Sequence, residues 1–146
     1  PPRSTLFPYT TLFRSVNRWI SLIISSSFFS VVHLFNSDIS IIGFLSIFLA
    51  GVMLGMPFLY TQNIWYSISL HFSWNVVQGT LYGFHVSGQK IYSVINQTLS
   101  SENSWNGGKF GFEGSILSII LEILAVYYIW NYFNRRYLGK TLSKTN

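Results

Sequence analysis

Apolar residues along the chain gather into four runs, set apart by polar breaks. The first covers about Trp19 to Phe35, WISLIISSSFFSVVHLF, and the second about Ile39 to Tyr60, ISIIGFLSIFLAGVMLGMPFLY. The third runs from about Ile64 to Tyr82, and the fourth, SILSIILEILAVYYIWNYF, from about Ser115 to Phe133. Each is close to the roughly 20 residues that a helix needs to cross a bilayer. The pattern predicts an all-α protein, a multi-pass transmembrane bundle of about four helices.

The runs are not equally apolar. The first and third are peppered with Ser, His, Asn and Gln. Polar side chains are costly against lipid, so these two are expected to form the inner pair. Gly43, Gly51 and Gly55 give the second run a small face suited to close helix packing. Between the third and fourth runs lies a polar stretch, about Gly83 to Gly114, which reads as a loop or a partly re-entrant segment. Its end, GGKFGFEGS, is turn chemistry leading into a helix, and Glu113 there is expected to cap the helix N-terminus, whose dipole favours an anion. Asn96-Gln-Thr98 fits the glycosylation pattern but is too common a triplet to carry weight. No internal repeat is visible.

Composition sharpens this picture. Hydrophobic residues make up 49% and charged residues 9% of the 146, against about 25% charged in an ordinary soluble domain. The basic residues stand at the ends of apolar runs instead of forming a patch, so membrane lipid is the expected partner and nucleic acid is not. Arg18 precedes the first run; Arg135, Arg136, Lys140 and Lys144 follow the last. The positive-inside rule then places both ends in the cytoplasm, in a multi-pass protein of the cell membrane. There is no cysteine, which excludes disulfides, thiol catalysis and Cys-ligated metal.

The stretch Pro1–Ser15, PPRSTLFPYTTLFRS, has neither a helical nor a strand period, nor the order of a signal peptide. It reads as one frame of a sequencing-library adapter translated into protein, agreeing at every residue. It is therefore set apart as adapter-derived and non-native, and residues 16–146 as part of a transmembrane domain that begins in mid-gene. Without Arg3 and Arg14 the chain keeps seven basic and four acidic residues.

Three polar residues inside the apolar runs stand out. His33 ends Phe29-Ser-Val-Val-His33, and His71 and Asn75 bound His-Phe-Ser-Trp-Asn. The i, i+4 spacing puts His71 and Asn75 on one helix face. An imidazole can serve as general base, and a second imidazole with an amide N–H can stabilise an oxyanion in a dry site. Alternatively the two histidines can ligate zinc, leaving a position for water. The structural alternative is hydrogen bonding between helices. Side chains of the three are expected within roughly 8 Å of one another if they share one substrate group. Glu122, an acid within the fourth run, is expected to make a structural hydrogen bond.

Phe29 to His33 and His71 to Asn75 match the second and third motifs, Phe-x-x-x-His and His-x-x-x-Asn, of the CAAX prenyl proteases and bacteriocin-processing proteins. On these motifs, with IWYSISLHFSWNVVQG and GGKFGFEGS around them, the chain resembles this family of intramembrane proteases, also called the CPBP or Abi-type metalloproteases. The resemblance covers Arg18 to about Tyr132. It implies an endopeptidase hydrolysing a peptide bond near the membrane surface, with a peptide or lipidated protein as substrate. It implies His33 as the base that activates water, His71 and Asn75 as the oxyanion donors, and Phe29 packed beside His33. Zinc and a metal-free glutamate–histidine scheme are equally open as to cofactor. The family's first motif, Glu-Glu-x-x-x-Arg, is absent, and no acid precedes His33. The expectation is a truncated endopeptidase, inactive as it stands. Two other readings remain: a non-catalytic immunity or scaffold protein of the same fold, and a transporter fragment with His and Asn lining its path.

Overall fold

The structure is a computed structural model, and it describes residues 17–98 and 101–142. The segment Pro1–Ser15, read as adapter-derived, lies outside the described residues. Four α-helices follow in order: α1 (Arg18–Val32), α2 (Ile41–Thr61), α3 (Trp65–Asn75) and α4 (Ile116–Leu142). No strand forms among the described residues, and one isolated bridge joins Val86 to Gln89. The all-α bundle expected from the apolar runs is what the chain builds. Three helical segments, Arg18–Phe35, Ile41–Thr61 and Ile116–Arg136, are long and apolar enough to cross a membrane. The third apolar run folds differently: α3 has 11 residues and widens into a π-helical turn, Val76–Leu81.

The helix ends follow from local chemistry. Asn17 accepts from the Trp19 N–H and Ser40 from the Gly43 N–H, opening α1 and α2. α2 stops at Gln62, which takes a left-handed conformation with φ 54°. α4 is capped by Ser115, whose Oγ accepts from the Ser118 N–H at 3.0 Å. Glu113 is thus not the cap expected of it, because a hydroxyl three residues before Ser118 already satisfies that donor and the carboxylate turns elsewhere.

The centre of the bundle is α2, which packs against α1, α3 and α4. This corrects the expectation of an inner pair made of the first and third runs. Some of their polar residues do turn inward, Ser26 against Gly51 and Ser67 onto the Leu54 carbonyl, but what they meet is α2. Leu22, Ser26 and Ser30 form the buried stripe of α1, four residues apart. The reason α2 takes the middle is size: a Cβ on Gly51 would sit 2.9 Å from the Cα of Ser26, so the two backbones touch. The outer faces remain apolar, with Ile24, Phe28, Leu124 and Tyr128 exposed, which costs nothing in hydrocarbon.

Between α2 and α4 lies a buried polar knot. Ser46 Oγ donates to both Glu122 oxygens, at 3.0 and 3.1 Å, and stands 2.8 Å from Ser118 Oγ. Glu122 is 2% exposed, so it makes the structural hydrogen bond expected of it. Ser46→Ala strips the carboxyl of that donor and is expected to cost about 1–3 kcal/mol, the usual penalty for a buried polar group left alone. The check is the unfolding midpoint in an SDS titration; an unchanged midpoint would mean that the carboxyl finds another donor.

At one end of the bundle, Arg18 lies 5.7 Å over the Tyr60 ring and Tyr60 donates to Asn134 at 2.8 Å. The start of α1, the end of α2 and the last turns of α4 therefore share that end. The turn after α1 and the loop segments 82–98 and 101–115 lie at the other.

Candidate active site

His33 sits where α1 tightens into a 3-10 turn, His33–Phe35. Its own backbone N–H bonds to the carbonyls of Ser30 and Val31 and not to that of Phe29. The Phe29 carbonyl is one of the orphans that every helix end leaves, and the His33 imidazole Nδ1 fills it at 2.7 Å. A carbonyl can only accept, so Nδ1 carries the hydrogen and Nε2 is left with its lone pair when the ring is neutral. The four-residue spacing of Phe29 and His33 thus sets the tautomer of the histidine. It also stacks the two rings, with centroids 4.5 Å apart.

His71 meets the other side of Phe29, edge to face at 5.8 Å. The depth of the two histidines in their own helices differs, since His33 lies 15 residues past Arg18 and His71 six past Trp65. The stagger of α3 absorbs the difference. Ser67 Oγ donates to the Leu54 carbonyl at 2.7 Å, and Leu54 is seven residues before the end of α2 at Thr61, about 10 Å at 1.5 Å per residue. α3 therefore starts sunk into the bundle and carries His71 to the level of Phe29.

His33 and His71 line one small cavity, of about 20 Å³, room for a single water. Ile47, Ala50, Met53 and Leu54 of α2 wall it on the apolar side. Two further polar residues open onto it, Ser87 and Glu113. Asn75 does not line this cavity. It lies one turn beyond His71 on α3, half-buried, with Oδ1 enclosed and without a hydrogen-bond partner. The structure brings together two of the three residues singled out from the sequence and leaves the third alongside.

Glu113 is the residue that sequence reasoning placed wrongly. It is 5% exposed, and three donors hold its carboxylate: Trp74 Nε1 at 3.0 Å on Oε1, and the Ser87 N–H at 2.8 Å and Ser87 Oγ at 2.6 Å on Oε2. Two aromatic anchors deliver it. Phe110 is buried against Gly43, and Phe112 packs on Trp74 and Phe84 at 6.2 and 5.8 Å. Between them Gly111, at φ 98°, passes so close to the His85 carbonyl that any Cβ would overlap it. GGKFGFEGS contained the signal, as aromatics alternating with glycine around one acid, but the spacing alone does not say what lies opposite.

Among the described residues no group of three or more His, Cys, Asp or Glu is arranged to hold a metal ion. With His33 Nδ1 engaged, two imidazoles do not make up the three-ligand set of a catalytic zinc.

The chain matches the family model of type II CAAX prenyl endopeptidases, Rce1-like, over residues 3–77. It belongs to that family. The matched span holds Phe29, His33, His71 and Asn75, begins inside the stretch read as adapter-derived, and stops before Glu113. No curated protein and no solved structure matches the chain. The Rce1-like membership agrees with the motifs, Phe-x-x-x-His and His-x-x-x-Asn, on which the family resemblance was drawn. It also identifies the helical bundle as the fold of a membrane endopeptidase.

Proposed function

We propose that this chain carries the histidine half of an intramembrane endopeptidase site. The observation that supports it most is the cavity shared by His33 and His71, with the tautomer of His33 held by the Phe29 carbonyl. In this reading a water in the cavity gives a proton to His33 Nε2, and its oxygen attacks the carbonyl carbon of the scissile peptide. The oxyanion accepts hydrogen bonds from His71 and from the side-chain amide of Asn75, one turn further along α3, whose enclosed Oδ1 has no partner of its own. His33 then passes the proton to the leaving nitrogen as the C–N bond breaks. The substrate is a peptide or lipidated protein presented from the membrane. Both ends of the chain face the cytoplasm in this reading, since Arg18, Arg135 and Arg136 gather at one end of the bundle.

The sequence contains no Glu-Glu pair, and the family scheme uses one alongside the first histidine. Hydrolysis by this chain alone is therefore expected to be barely measurable. It should rise when a segment bearing Glu-Glu-x-x-x-Arg is joined ahead of Val16. In that fused protein Asn75→Ala is expected to slow cleavage by about 10²- to 10³-fold, the scale of one lost oxyanion donor. The measurement is cleavage of a membrane-tethered peptide library in liposomes. Asn75→Ala cutting at the parent rate would remove Asn75 from the mechanism, and robust cutting by the unfused chain would remove the acidic pair.

A further inference from the structure

Glu113 lies in a loop outside the two histidine motifs, yet its side chain opens onto the cavity of the two histidines. Trp74, which holds its Oε1, stands three residues after His71 on the same helix, so the carboxylate is tied to the α3 side of the site. The tie on Oε2 is unusual: Ser87 adopts φ 48°, a left-handed conformation that costs a residue with a Cβ, and in that conformation both its N–H and its hydroxyl reach one oxygen. Strain of this kind persists where surrounding structure over-determines it. Trp Nε1 and a backbone N–H can only donate, so both carboxyl oxygens are held in place as acceptors.

The charged surroundings of His71 are few. α2 presents it only apolar side chains, Ile47, Ala50, Met53 and Leu54. From α1 come Phe29 and, at its end, His33; from its own helix, Trp74; from the loops, Ser87 and Glu113. Glu113 is thus the one anion at the cavity among the described residues: burial weighs most against a charge on His71, Glu113 supports that charge, and His33 opposes it.

We propose that Glu113 is the charge partner of His71, a positioning residue whose fixed carboxylate favours the imidazolium form of that ring. An N–H of His71 donates to the oxyanion, and the carboxylate supports the positive charge that the ring gathers as it does so. His33, held as the Nδ1–H tautomer, keeps a lone pair for the water. Two like rings are in this way driven to opposite tasks. The inference rests on the endopeptidase reading for the use of that charge, but the charge itself is read without proteolysis.

The test is the protonation of His71, followed by NMR on the chain with ¹⁵N-histidine in lipid nanodiscs. Glu113→Gln keeps size and acceptor oxygen but removes the charge. His71 is expected to take up its proton at a pH lower by about one unit, the scale of one nearby charge lost. Trp74→Phe breaks a hydrogen bond to Glu113 and leaves the charge, and should cause no such fall. An unmoved His71 in Glu113→Gln overturns the proposal, and so does an equal fall in Trp74→Phe, which would trace the effect to loosened packing. Should Glu113→Gln not fold, Glu113→Asp draws the carboxylate back by one methylene; a smaller fall is then expected, and none overturns the proposal. Failure of the protease reading shows separately, as a peptide library left uncut by the fused protein.

Discussion

His33→Ala is expected to remove most of the peptide hydrolysis of a protein that joins this chain to an acidic Glu-Glu-x-x-x-Arg segment. General acid–base help is worth about 10²- to 10⁴-fold in rate, and His33 stands for both of its directions: it takes the proton from water and returns it to the leaving nitrogen. The loss should fall on kcat, because alanine leaves the apolar walls that hold a substrate in place. It should not be a folding defect. The ring of His33 is half-buried and makes one side-chain hydrogen bond, to a helix-end carbonyl that water can also serve. The decisive comparison is with Phe29→Leu, which keeps the backbone carbonyl, and with it the His33 tautomer, while thinning the ring stack on both histidines. That variant should be slower than the parent but well above His33→Ala. Full cleavage by His33→Ala, with the protein inserted and folded, would sink the mechanism.

Gly51→Leu is expected to be the most damaging change to the bundle. A Cβ at Gly51 would stand 2.9 Å from the Cα and 3.0 Å from the Cβ of Ser26. Backbone cannot swing aside as a side chain does, so α1 and α2 must part. Overpacking of this kind costs about 1–3 kcal/mol, and more where backbone has to move. Gly55 offers the contrast: its added Cβ would meet Leu22 Cδ1, the far end of a flexible side chain, so Gly55→Ala should cost less than Gly51→Ala. Parting α1 from α2 also carries Phe29 and His33 away from His71. The order of SDS-unfolding midpoints, Gly51→Leu below Gly51→Ala below Gly55→Ala, checks the packing claim. Equal midpoints would mean that the helix contact is looser than the geometry implies.

The chemistry of the candidate site was half legible in the residues. His33, His71 and Asn75 stand out because such polar side chains are expensive in hydrocarbon and because two motifs lie at helical spacing. That spacing accounts for what the structure shows at Phe29 and His33, since an i, i+4 pair at a helix end lets a side chain reach an orphan carbonyl. The same logic misplaced Glu113. An acid just before an apolar run looks like a helix cap, and nothing local reveals that Ser115 caps the helix first or that Trp74 and Ser87 offer donors from other segments.

The helical character of the long apolar runs, three of them able to cross a membrane, was fixed by local physics. A run of some twenty apolar residues must satisfy its backbone internally, and a helix does so within the run itself. What tertiary structure alone decided is which residues share a space. The sinking of α3 shows in the hydrogen bond from Ser67 to the Leu54 carbonyl. The central place of α2 depends on glycine meeting serine across a helix contact. The entry of Glu113 into the cavity depends on the positive φ of Gly111 and Ser87, far from His71 in sequence. Such contacts are written in turn geometry and in the fit of distant side chains, and neither has a period that can be read along the chain.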